Sequence, residues 1–162
     1  VEIIKLKAIV YPKEVDLEMR RLETIYMQYT STKNVDAEIH FHYGAAKTFL
    51  IEREIALLKE KSVEESNTRY KDILERCEAL ASLSNLELEQ SAYYYRALAT
   101  FVLLERHTSA ADKSSEDKIK ELKTYAADQI SKGLQTAQKS SGWSSWHSKL
   151  KNLRIQQYSH LP

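Results

Sequence analysis

Glu38, His40 and His42 stand close enough in the chain to suggest a metal site, since imidazole nitrogens and carboxylate oxygens are common zinc ligands. On a helix, however, residues two apart point about 200° away from one another and cannot share an ion. No metal and no other cofactor is therefore expected. Cys77 is the single cysteine. It has no second thiol to pair with, and on an apolar helical stripe a cysteine behaves as a small buried hydrophobe rather than a nucleophile. Glu52 and Glu54 flank Arg53 in the manner of a solvated helix face, not of a catalytic carboxylate pair. No catalytic residue is assigned, and the chain is read as a non-enzyme.

Residues suited to binding are easier to find. Tyr93, Tyr94 and Tyr95 are consecutive, and three successive helical positions span about 200°, so the three rings cannot all enter one core. At least one is expected to face a groove or a partner, where tyrosine offers apolar area with a polar tip. Near the C-terminus Lys149, Lys151 and Arg154 accompany Trp143 and Trp146. That basic and aromatic mixture could contact RNA or an acidic protein, or its tryptophans could close the end of a core.

Positioning these residues falls to helices. The 162 residues carry Lys+Arg 24 against Asp+Glu 23, a net charge of +1 that argues against a strongly basic nucleic-acid module. Gly 3 and Pro 2 are far too few for a turn-dense sandwich or barrel. The three glycines also stand singly, without the clustering a phosphate-cradling loop needs. The opening VEIIKLKAIV is apolar but too short to span a bilayer core that takes about 20 residues. A lone thiol fits the cytoplasm or nucleus, and a start at Val1 rather than Met points to a fragment of a longer chain.

Val15, Met19, Leu22, Tyr26 and Tyr29 recur at helical spacing after Pro12, and Ile39, Tyr43, Ala46 and Leu50 do so after a cap at Asp36. Ser66 or Asn67 is expected to cap a third helix bearing Tyr70, Ile73, Leu74, Cys77, Leu80 and Ala81. A fourth follows the break near residues 82–85. It carries Leu88, Ala92, Tyr95, Ala99 and Val102 on one side and Tyr94, Leu98 and Phe101 on another. Apolar all round, it should be the central helix. A fifth, capped by Ser115, turns Ile119, Leu122, Ala126, Ile130 and Leu134 inward, and Gly133 within that stripe implies close helix packing. Trp143, Trp146, Leu150 and Leu153 mark the last. Strand character is conceivable only over residues 3–10, where the apolar residues partly alternate.

Tyr43, Ala45, Thr48 and Phe49 return as Tyr95, Ala97, Thr100 and Phe101, each 52 positions later. The segments AEIHFHYGAAK and SAYYYRALATF, followed by partner helices such as RYKDILERCEAL, resemble the tetratricopeptide repeat. In that family small residues let paired helices approach closely, a role the resemblance implies for Gly44 or Ala45 and for Ala97. The repeat length exceeds the usual 34 or so residues and no proline follows either second helix, so the resemblance is to an elongated or interrupted form.

The expected architecture is all-α: one helical domain over residues 1–162, with tandem antiparallel hairpins at 36–82 and 86–138 and a capping helix at 143–157. The expected function is a non-catalytic protein–protein interaction module or scaffold that binds a partner segment in a concave helical groove. His42 and Tyr94 share the repeat spacing on the first helices of their hairpins, and Lys47 lies about one turn beyond His42. His42, Lys47 and Tyr94 are therefore the expected partner-binding residues. Two other readings are a nucleic-acid-binding domain that uses the basic C-terminal helix and a subunit-assembly segment of a larger complex.

Overall fold

A computed structural model of the chain describes residues 14–31, 37–83, 85–109, 116–138 and 145–159. The expectations for residues 3–10, Pro12, Asp36, Ser115 and Trp143 lie outside these. The protein is all-helical, with α1 Val15–Ser31, α2 Ala37–Leu58, α3 Val63–Ala81, α4 Leu86–Ser109, α5 Glu116–Gln138 and α6 Ser145–Ser159, and no strand occurs among the described residues. The chain divides into two compact units, Val1–Leu50 and Ile51–Pro162.

In the first unit α1 begins with Asp16 and Glu18, whose charges favour a helix N-terminus. Val15 and Met19 bury against Ala46 and Leu50 of α2, with Leu22 and Phe49 packed at the edge. The apolar stripe of α1 stops short of its expected end: Tyr26 is half-buried, but Tyr29 is exposed.

The second unit starts within α2, whose Ile51, Ile55 and Leu58 join Ile73, Cys77 and Leu80 of α3 and Leu88, Ala92, Tyr95, Ala99 and Val102 of α4 in one core. The start of α3 corrects the expected cap. Ser62, not Ser66 or Asn67, is the N-cap. Its side chain accepts from the Glu65 backbone N–H while the Glu65 carboxylate accepts from the Ser62 N–H, a reciprocal capping box. Ser66 falls inside the helix, fully buried, and its hydroxyl donates to the Leu58 carbonyl. That bond ties the start of α3 to the end of α2.

Asn85 caps α4 by accepting from the Leu88 N–H at 3.1 Å. The helix is central to the second unit: it packs against α3, α5 and α6, and α5 packs against α6 in turn. Its all-round apolarity has this cause. One side enters the core shared with α3, while Ala97 on another meets Ile130 of α5 and Leu153 of α6. Gly133 lets α5 approach closely, since a Cβ there would stand 2.8 Å from Leu150 Cδ1 and 3.0 Å from Tyr93 Cβ.

Candidate partner-binding groove

The three consecutive tyrosines divide their tasks as the helical angle requires. Tyr95 is core, 1% exposed, and its hydroxyl donates to Glu52 Oε1 at 2.5 Å. Burial and the neighbouring carboxylate both push its pKa up. Tyr94 is half-buried with its ring 5.5 Å from Trp146, and the Lys149 ammonium lies 4.1 Å from the Trp146 ring centroid and 5.7 Å from that of Tyr94. Tyr93 lines an open polar recess of about 380 Å³ with Arg96, Gln129 and Lys132. Polar partners already engage the cations there: Arg96 pairs with Glu78 and Lys132 with Asp128.

A more apolar groove lies along another face of α4. Tyr94, Leu98, Phe101, Glu105 and Thr108 follow one another at steps of four, three, four and three, which places them on one stripe. From Leu98 to Thr108 they line a cavity of about 370 Å³, whose far wall is Leu153 and Gln156 of α6. Leu104 adds apolar surface, while Lys59, beyond the end of α2, and Lys123 of α5 stand at the rim. Leu98 and Phe101 also pack on the α4–α5–α6 core. The ten helical steps from Leu98 to Thr108 at about 1.5 Å each make this stretch about 15 Å long. It offers apolar depth with charge at the edge, the arrangement that receives an apolar side chain and orients its polar flanks.

The three residues assigned from sequence lie in both units. His42 and Lys47 are on α2 in the first unit. His42 is exposed and pairs with Glu38 at 3.5 Å one turn earlier. Lys47 is mostly covered: its ammonium donates to Glu23 Oε1 of α1 at 3.1 Å and lies 5.0 Å from the Tyr43 ring centroid. Burial works against its charge, but Tyr43 and Glu23 outweigh that and hold its pKa above the usual lysine value. Around it Tyr26 stacks on Tyr43 at 4.0 Å and meets His40 Nδ1 through its hydroxyl at 2.7 Å. Tyr94 is in the second unit, on the stripe that continues into the groove. Sequence reasoning missed Leu98, Phe101, Leu104 and Leu153 as site residues. The helical spacing of Tyr94, Leu98 and Phe101 was the available signal.

Chemistry at the other candidates is limited by burial. The Cys77 thiol is fully buried, which pushes its pKa up to about 12. That leaves on the order of one thiolate in 10⁵ at neutral pH. Among the described residues no group of three or more His, Cys, Asp or Glu side chains is placed to hold a metal ion. No helix among them is long and apolar enough to cross a membrane. Comparison of the chain with protein-family models, with curated proteins and with solved structures returned no significant match.

Proposed function

We propose that this chain is a non-catalytic protein-interaction module that holds a segment of a partner protein in the groove between α4, α5 and α6. The observation that carries the reading is the groove itself: about 370 Å³ of space over Leu98, Phe101 and Leu153, bordered by charged side chains. Such a volume suits a few aliphatic side chains or one aromatic anchor. Each well-buried anchor contributes about 1.5–3 kcal/mol before the costs of ordering. Two anchors therefore give reversible binding that grows tight only if the partner also touches the rim.

The tandem-hairpin arrangement, an elongated relative of the tetratricopeptide repeat, belongs to the same proposal. Equivalent positions of the repeat have similar roles, which supports it. Tyr43 and Tyr95 are both buried and both donate to a glutamate on another helix, Glu23 and Glu52 respectively. Phe49 and Phe101 are both half-buried. A cytoplasmic or nuclear setting goes with this reading, because an unpaired cysteine suits a reducing compartment.

Leu104→Glu tests the function. Leu104 lines the groove without belonging to the buried clusters, so a carboxylate there should block an apolar anchor and leave the fold standing. Proteins retained by the wild-type chain should be lost by this variant at an unchanged melting temperature. Retention of the same proteins by both would refute the groove as the binding site.

A further inference from the structure

We infer that the occupant of the groove is an acidic amphipathic helix of a partner protein, its apolar stripe laid on Leu98, Phe101 and Leu153 and its carboxylates facing Lys59, Lys123 and Lys149 of α6. This rests on the groove being the binding site, and adds the partner's chemistry.

The sign of charge around the groove carries the inference. α6 forms one wall through Leu153 and Gln156; Lys149 stands one turn before Leu153 on the same face, and the helix holds no acidic residue. Lys59 and Lys123 add two ammonium groups at the rim, and among the described residues neither has a carboxylate partner. Among the described residues Glu105 is the one acidic side chain that lines the cavity. Complementary potential steers association and rejects partners of the wrong sign.

Shape selects a helix over an extended strand. The groove runs along α4 for about 15 Å with its apolar contacts at helical spacing, which matches side chains at i, i+3 or i+4 and i+7 of a helix of about ten residues. The described residues form no sheet, so no edge is present to which a partner strand could be added. A nucleic acid would also answer the basic charge. It would leave the apolar floor unused and would set phosphates beside Glu105.

Random peptides displayed on phage, panned over the full chain, test this directly. Enriched sequences should carry an apolar residue every three or four positions and a net negative charge. A synthetic enriched peptide should bind the Lys59→Glu, Lys123→Glu double variant about tenfold or more weakly, and changing its own acids to lysine should restore binding to that variant. Circular dichroism on the variant checks that it folds. Enrichment of neutral or basic peptides that Leu104→Glu still blocks would overturn the acidic partner and leave the groove. Enriched peptides indifferent to Leu104→Glu would overturn both. An oligouridylate that competes with the peptide and binds the wild type more tightly than the peptide does would overturn the protein partner and leave the groove.

Discussion

Tyr95 donates its hydroxyl proton to Glu52 Oε1 from within the core, linking the middle of α4 to the last turns of α2. Ring and hydroxyl have separable weights here. Tyr95→Phe keeps the ring and loses one hydrogen bond to a carboxylate that can return to water, so it should cost about 1 kcal/mol. Tyr95→Ala removes a fully buried ring and should cost about 3–5 kcal/mol. Urea denaturation of the two variants checks the ratio, and equal losses would place the energy in the hydrogen bond.

Gly133 and Leu150 compete for one space. An alanine at position 133 gains about 1 kcal/mol of helix propensity, but its Cβ would stand 2.8 Å from a buried leucine methyl carbon. Overpacking of about 1–3 kcal/mol should win, making Gly133→Ala destabilising. In a Leu150→Ala background the leucine methyls are gone and the Tyr93 Cβ contact at 3.0 Å remains, so the same substitution should cost clearly less. That non-additivity is the measurement, read by thermal melting of all four proteins.

His107 makes stability depend on pH. It is buried near the end of α4, its Nε2 3.0 Å from Asn67 Oδ1 on α3, and burial, helped by the Lys118 charge, lowers its pKa below 6.5. The unfolded chain therefore takes up the proton first as pH falls. Its contribution to stability is complete above 6.5 and declines as pH drops from 6.5 through the folded value. His107→Gln should flatten this component, so the stability gap between wild type and variant should shrink from about pH 8 to about pH 5.5. A gap that widens on acidification would contradict it.

The capping box at the start of α3 predicts that Ser62→Ala costs about 1 kcal/mol, because the Glu65 backbone N–H loses the hydroxyl that accepts from it. Asn67→Ala should act through His107 instead, with its effect tied to pH. Denaturation midpoints at neutral pH and about pH 5.5 distinguish the two.

Much of the fold was legible because burial leaves a periodic trace. Of the stripe read on α3, Ile73, Cys77 and Leu80 are buried and Tyr70, Leu74 and Ala81 half-buried, and the apolar residues around α4 predicted its central place. Gly133 was equally readable, since a bare glycine in a helical stripe needs a packing reason. The cap of α3 was legible too, though not at Ser66 or Asn67: Ser62 and Glu65 have the capping-box spacing. The groove was harder to see. Tyr94, Leu98 and Phe101 announce a second apolar stripe, but what stands across from it is Leu153, some fifty residues further on. Local periodicity carries no information about that pairing. Lys47 shows the reverse problem, because a lysine that looks free in sequence spends its charge on Glu23 of another helix.

The claim that the groove binds a partner segment is tested most directly by methyl NMR of the full chain, titrated with a peptide enriched from the phage library. Leu98, Val102, Leu104 and Leu153 line the groove, and their methyl resonances should shift and saturate together, while those of Val15 and Leu50, which belong to the other unit, stay in place. Saturable shifts that leave the groove methyls unmoved, or that centre on Val15 and Leu50, would contradict it.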